Sequence, residues 1–240
     1  MSATFKGGWN AGAQIWDENF GYDPSIYANY RLLDGNGDLL PFDPPKRIPN
    51  RDYFFYVNTP DLRGVRVNYN MSWGRDENFP EWASGTFFYI QGSVDLRPTN
   101  QLRLNVGYNH TEVHRPTDGS TVTRQIVPRA RLEYQLSRDL RLRVVSQYAM
   151  DMRDSLRDVG RSELPIVFLR PGGSYTRAAA YRDANLRTDF LASWSPNPGT
   201  VVYLGYGDTR ASDDPDGREA LRRANDSFFM KLSYLWRVKG

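Results

Sequence analysis

Hydrophobic and polar residues alternate with a period of two along most of this chain, and the last such segment is the clearest. Residues 226–238 carry a continuous apolar face made up of Phe228, Met230, Leu232, Tyr234, Trp236 and Val238. The opposite face is mostly polar and includes Ser227, Lys231, Ser233 and Arg237. This alternation predicts a β-strand with one face in an apolar medium and the other in a polar one.

Nine further segments alternate in the same way, and they are separated by clusters of Gly, Pro, Asn and Asp that favour turns. Pro128 lies inside one of them, where we expect it to remove a hydrogen bond from the ladder or to mark a bulge. The predicted strands are residues 3–16, 51–58, 64–74, 85–97, 101–112, 121–136, 140–152, 184–194, 200–209 and 226–238.

The connections between these strands alternate in length. Those after the even-numbered strands are short, whereas most of the others are longer, and the longest cover about residues 17–50 and 153–183. An even number of strands with short turns at one end and long loops at the other is typical of outer-membrane barrels. We therefore predict one all-β domain over residues 1–240, an antiparallel up-and-down transmembrane β-barrel of about ten strands, or the C-terminal part of a larger barrel.

Residues 34–38, Asp-Gly-Asn-Gly-Asp, allow two interpretations. They match the opening of a calcium-binding loop, but Gly is missing from the sixth position and Pro45 occupies the twelfth, where a bidentate Glu belongs. The alternative, which we favour, is the tip of a hairpin between residues 30–33 and 39–40.

Composition excludes several classes of protein. No run of about 18 apolar residues is present, which excludes transmembrane helices. The mean hydropathy of −0.64 still fits a barrel, because lumen-facing residues and loops lower the average. Without cysteine there are no disulfides or thiolate metal sites. The net charge of +3 is modest and the arginines are dispersed, which is unlike a nucleic-acid-binding surface.

Two segments near the C-terminus resemble a bacterial outer-membrane barrel domain of unknown function. They are residues 194–206, WSPNPGTVVYLGY, and residues 225–236, NDSFFMKLSYLW. In that family the barrel usually follows a carbohydrate-binding-like sandwich domain, so the resemblance implies a place in the Gram-negative cell envelope and a link to glycans. A second resemblance is to the C-terminal signal read by the outer-membrane assembly machinery, carried by Lys231, Ser233, Trp236 and Val238.

His110 is the first candidate for chemistry. It shares the apolar parity of its strand and lies toward the long-loop end, where lipid-modifying barrel enzymes place a His beside a Ser. Its neighbours in sequence are Asn109 and Thr111, so we favour an anchoring role for His110 and expect no catalytic residue.

A set of charged residues shares the inward parity of the predicted strands. It consists of Asp95, Arg97, Arg103, Arg129, Arg131, Glu133, Arg141, Arg143, Asp151 and Arg237. Because an arginine in a filled lumen needs carboxylate partners, we favour a structural ion-pair network. The alternative is a basic constriction that selects anionic solutes.

These patterns favour a non-enzymatic protein of the bacterial outer membrane that acts as an anchor, scaffold or narrow porin-like pore with a charged, plugged lumen. We expect no cofactor and no metal. The alternatives are a glycan-binding or uptake component and, as a third, a lipid-modifying enzyme using His110. The expected partners are outer-membrane lipid and the assembly machinery, followed by a glycan or other envelope subunits, with no nucleic acid.

Overall fold

The computed structural model describes residues 1–214 and 220–235, and over these residues the protein is all-β. In this part of the chain there is no helix of the length and apolarity needed to cross a bilayer. The strands are β1 (Ser2–Phe5), β2 (Trp9–Gly21), β3 (Tyr30–Leu33), β4 (Leu39–Pro41), β5 (Arg47–Asn58), β6 (Val65–Asn78), β7 (Ala83–Leu96), β8 (Leu102–His114), β9 (Thr121–Gln135), β10 (Leu140–Arg153), β11 (Ile166–Leu169), β12 (Tyr175–Arg177), β13 (Tyr181–Asn197), β14 (Thr200–Ser212) and β15 (Arg222–Tyr234).

Eleven of these strands form one antiparallel sheet, the main sheet, in the order β1-β2-β5-β6-β7-β8-β9-β10-β13-β14-β15. Each strand pairs with the next main-sheet strand along the chain, which confirms the predicted all-β, up-and-down fold. Over the described residues β1 pairs with β2 and β15 pairs with β14, but β1 and β15 do not pair with each other. The main sheet is therefore open between its first and last strands.

The first predicted strand, residues 3–16, needs a correction. The structure divides it into β1 and β2, which form a hairpin pairing Phe5 with Trp9. Gly7 and Gly8 make this turn with φ of 87° each, a conformation that glycine adopts without steric cost. Alternating apolar residues on both sides of the turn concealed it in the sequence.

Pro128 interrupts one ladder, as predicted. It stays in register with Tyr108 of β8 on one side. On the other side, toward β10, the pairing stops at Arg129–Gln147 and resumes at Ile126–Met150 without a change of register. The missing N–H of proline accounts for this gap, and no bulge is needed.

The two longest loops fold together into a second sheet of four strands, ordered β12-β11-β3-β4. Pairing of Ile166 with Leu32 joins the loop after β10 to the loop after β2. The hairpin predicted around residues 34–38 is confirmed, since β3 pairs with β4 and Asp34 Oδ1 accepts hydrogen bonds from the backbone N–H groups of Asn36 and Asp38. We call residues 22–46, 79–82, 115–120 and 154–180 the cap.

The buried core lies between this cap and the cap-side ends of the main-sheet strands, where Ile48 of β5 and Val122 of β9 contribute to it. One cluster consists of Leu32, Val122, Leu156, Ile166 and Ala178, and a second consists of Tyr27, Ile48 and Trp82. Two hydrogen bonds fix the second cluster, from Trp82 Nε1 to the Pro45 carbonyl at 2.7 Å and from the Tyr27 hydroxyl to the Phe79 carbonyl at 2.8 Å. The cap is thus a packed unit at one end of the strands.

A buried ion pair joins three connections of the cap. The side chains of Arg115 and Glu81 are 1% and 0% exposed, and Nη2 donates to Glu81 Oε1 at 2.6 Å. Arg115 Nη1 also donates to Asp154 Oδ2 at 2.6 Å. The second Glu81 oxygen accepts from Asn78 Nδ2 at 2.6 Å. These contacts tie residues 79–82, 115–120 and 154–180 to one another.

Candidate functional site

The main sheet has two chemically different faces, which we call the apolar face and the polar face. Large hydrophobic side chains of the apolar face are exposed along nearly the whole sheet, from Ile15 on β2, at 67%, to Phe228 on β15, at 70%. Others are Tyr53, Trp73, Val106, Leu132, Leu142, Phe190, Trp194 and Leu204. A water-soluble monomer rarely exposes an apolar surface of this extent.

The exposed apolar residues form a band that crosses the strands obliquely. Cross-strand pairing links Val65 of β6 through Leu96, Leu104, Leu132, Val144 and Phe190 to Tyr206 of β14. On β6 the apolar face begins at the turn end with Val65. It continues toward the cap as far as Trp73, and the next residue on that face is Arg75. Tyr206 is instead the last apolar residue on β14 before Asp208, on the cap side.

This drift defines a tilt. From residue 65 to residue 73 the strand advances by about 26 Å, and the six steps between β6 and β14 separate the strands by about 29 Å. The cap-side limit of the band, which moves from Trp73 on β6 to Tyr206 on β14, is therefore level only if these strands lean by about 40° from the normal to the band. Strands in β-barrels tilt by about 35–45°.

Aromatic residues mark both limits of the band. Tyr53 and Trp73 stack at 5.8 Å near the cap, and Tyr134, Trp194 and Tyr234 lie toward the turns. Tyr and Trp concentrate at the two interfaces of a bilayer, where their rings meet apolar and polar surroundings at once.

His110 lies on the apolar face near the cap-side limit of the band, with both ring nitrogens engaged. Nδ1 is 2.9 Å from the Tyr108 hydroxyl, and Nε2 is 2.6 Å from Glu112 Oε1. Glu112 also meets His114 Nε2 at 2.8 Å and Arg124 Nε at 2.5 Å. Among the described residues no serine hydroxyl contacts His110, so its geometry is that of a residue held in a polar rim network.

The polar face carries the charged residues predicted from parity. Asp95, Arg103, Arg129, Arg131, Glu133, Arg141, Arg143 and Asp151 lie on its strands, and Arg97 directly follows β7. Arg237 lies outside the described residues. Six side chains surround a hollow of about 340 Å³ on this face, namely Asp95, Arg97, Arg103, Asn105, Arg131 and Glu133.

Within this charged set the structure forms one close ion pair between described members, Arg131 with Glu133 on β9. Asp95 Oδ1 instead accepts from Asn105 Nδ2 at 2.7 Å. Asp151 lies at the other end of the face, where it accepts from the Tyr181 hydroxyl at 3.1 Å. The structure therefore brings most of the set together near the turn end and places Asp151 apart from it.

A patch of carboxamides, which sequence reasoning did not identify, lies between the charged region and the cap. Asn70 Nδ2 donates to Gln91 Oε1 at 3.2 Å, and Asn68 Nδ2 donates to Ser93 Oγ at 3.3 Å. Together with Asn109, Arg129 and Gln147 these amides line a hollow of about 510 Å³. Five separate strands contribute to it, so only the register between strands reveals the patch.

The predicted assembly signal is described in part. Lys231 and Ser233 lie on the polar face of β15, opposite Tyr203 and Val201 of β14. Trp236 and Val238 lie outside the described residues. This resemblance stays a prediction.

No cluster of His, Asp or Glu in the described ranges has the arrangement of a metal site. Comparison of the chain with known protein families and with curated proteins finds no match. The likeness to an outer-membrane barrel domain therefore rests on the residues quoted for it, and any function has to be argued from the two faces of the sheet.

Proposed function

We propose that this chain forms a wall of a bacterial outer-membrane β-barrel and acts, without catalysis, as an anchor or scaffold. The observation that carries the proposal is the exposed apolar band, which becomes level at a barrel-like strand tilt. The band on β6, from residue 65 to 73, corresponds to about 20 Å along the bilayer normal at that tilt. This is close to the apolar height of about 25 Å in outer-membrane barrels.

The orientation follows from the connections. Outer-membrane barrels keep short turns on the periplasmic side and long loops outside. The proposal places the cap at the cell surface and the turns at residues 59–64, 97–101 and 136–139 in the periplasm.

The cap supports a plugged lumen. Val113 lies on the polar face near the cap and packs against the core cluster of Leu32, Leu156 and Ile166. The long loops therefore fold over the polar face at this end, and Arg115 with Glu81 fixes them there. A wall that is covered in this way fits an anchor better than an open pore.

Reconstitution tests the proposal. The purified chain in detergent should migrate faster on a gel before boiling than after, and it should float with liposomes. In a planar bilayer it should pass little current. A protein that stays in solution without detergent contradicts the membrane proposal, whereas a steady anion-selective current contradicts only the plugged lumen.

A glycan-binding role is the second candidate, and the carboxamide patch favours it. Amides offer both donors and acceptors, as sugar hydroxyls require, and Asn109 Oδ1 is buried without a partner in the described structure. Calorimetric titration with neutral oligosaccharides such as maltohexaose and xylohexaose tests this role. Heat that disappears in Asn70→Leu supports it, and equal heat in that variant opposes it.

A further inference from the structure

Two short turns at the end opposite the cap lie against each other. One covers residues 59–64, between β5 and β6, and the other covers residues 97–101, between β7 and β8. The backbone N–H of Arg97 donates to the Gly64 carbonyl at 2.6 Å. Asp61 is the acidic residue of the first turn, and its Oδ1 accepts a hydrogen bond from the backbone N–H of Gly64 at 2.7 Å. The two turns therefore form one fixed surface.

This surface requires an unusual backbone. Gly64 has a φ of 91°, and a Cβ there would lie 2.7 Å from the Arg97 carbonyl oxygen, so only glycine fits without a shift. Arg63 has a φ of 55°, which is uncommon for a residue other than glycine. Strained positions of this kind concentrate at binding and catalytic sites.

Three arginines surround a hollow of about 340 Å³ between the turns. It is lined by Arg63, Gly64, Arg97, Thr99, Asn100 and Arg103, and no carboxylate is among these residues. Thr99 Oγ1 accepts the backbone N–H groups of Gln101 and Leu102 at 3.2 and 3.0 Å, which leaves its O–H free to donate. The hollow therefore presents donors and positive charge.

The arrangement of the arginines is unfavourable without a ligand. Pairing of Leu96 with Leu104, continued by one step, puts Arg97 opposite Arg103. Like charges directly opposite each other destabilise a pair of strands. Across residues 1–214 and 220–235 none of the three arginines forms an ion pair. Glu133 is the cross-strand neighbour of Arg103, but its carboxylate forms an ion pair with Arg131.

We propose that this hollow is a binding site for a phosphate-type oxyanion. Guanidinium groups donate two parallel hydrogen bonds to phosphate oxygens, and three of them supply more than the positive charge needed to neutralise a doubly charged anion. The anion belongs either to a phospholipid headgroup of the leaflet next to the turns or to a soluble phosphate compound. The inference rests on the geometry of the turns alone, so it stands or fails separately from membrane insertion.

The test uses the full chain in a neutral detergent and inorganic phosphate as the probe, followed by ³¹P line width. The wild type should broaden the phosphate signal in a saturable manner. Arg63→Gln and Arg97→Gln should each weaken binding by about tenfold or more, because each removes a charge-assisted contact. Arg97→Lys keeps the charge but loses the planar fork of donors, so its affinity for phosphate should lie between that of the wild type and that of Arg97→Gln. Arg177→Gln, the same charge change in the cap, should bind as the wild type does.

The source of the anion is tested separately. If phosphatidylglycerol in nanodiscs competes with phosphate and phosphatidylcholine does not, the site recognises lipid. If neither competes, it recognises soluble phosphate. A wild type that leaves the line width unchanged overturns the proposal, as does a loss in Arg177→Gln equal to that in Arg97→Gln. A far-UV circular dichroism spectrum that is the same for each variant and the wild type shows that the fold of the variant is intact.

Discussion

Val65 on β6 and Tyr206 on β14 lie on one continuous cross-strand row, yet they occupy opposite limits of the exposed apolar band. Val65 is at the turn side of the band and Tyr206 is at its cap side. Between these two strands the hydrophobic pattern is thus shifted along the strand direction relative to the register. In a bilayer the apolar band must lie at one depth across all strands. Strands that are inclined to the membrane normal meet this requirement, because the cross-strand row then passes from one limit of the band to the other.

The two faces of β8 should differ sharply in their tolerance of charge. Leu104 lies on the apolar face and Asn105, the next residue, lies on the polar face opposite Arg131. Leu104→Arg should lower the yield of membrane-inserted protein, since a midplane arginine costs roughly 2–4 kcal/mol in a barrel. Asn105→Arg should insert nearly as the wild type does. Comparable yields from the two variants would argue against lipid at the apolar face.

The cap should depend on the Arg115–Glu81 pair. Glu81→Gln removes the fully buried one of the two carboxylates that neutralise the Arg115 guanidinium, so it should destabilise the cap by about 3 kcal/mol. Limited proteolysis in detergent should then cut within residues 154–180 at a much higher rate. Glu163→Gln, in the same segment, serves as the control because its ion pair with Arg157 is half-exposed. Equal protease resistance in Glu81→Gln and the wild type would show that the pair does not hold the cap.

The stability of the cap-side end of the main sheet should decrease as the pH rises. Glu77 lies on β6 beyond the apolar band, and burial, together with the neighbouring Asp76, raises its carboxyl pKa above the ordinary 4.5. The folded state therefore holds this proton more tightly than the unfolded state does. Stability is greatest at low pH and falls as the pH rises through the folded pKa.

Urea unfolding measured from about pH 5 to about pH 8 should show a falling midpoint in the wild type and a flatter profile in Glu77→Gln. Asp139→Asn, at the turn end, should leave the wild-type slope unchanged. A slope that persists in Glu77→Gln would assign the pH dependence to another group.

The strands were predictable because alternation is a local property. Apolar residues occur at every second position in one such segment, and the structure has the predicted strand, β6, there. They are Val65, Val67, Tyr69, Met71 and Trp73. In the cap, the hairpin of β3 and β4 was predictable from its Gly and Asn tip. The rest was not, since β11 has four residues and its pairing with β3 joins residues far apart in the sequence. Strands this short show no period, and loop composition says nothing about which loops meet.

The parity of the charged residues was predictable, but their partners were not. Arg131 and Glu133 share a face by spacing alone, whereas Arg63 belongs to a turn and has no parity. Its place beside Arg97 depends on Gly64 and on the register of two hairpins. The carboxamide patch likewise depends on register across five strands.

Spin-label depth along the row from Val65 to Tyr206 tests the central claim most directly. The chain has no cysteine, so single cysteines can be placed at residues 65, 104, 132, 144, 190 and 206 of the protein in lipid vesicles. The immersion depth, measured from oxygen and nickel accessibility, should rise from Val65 to a maximum near Leu132, the middle of the row, and fall again to Tyr206. One constant depth along the row, or nickel accessibility above that of oxygen at every position, would contradict the inclined transmembrane wall.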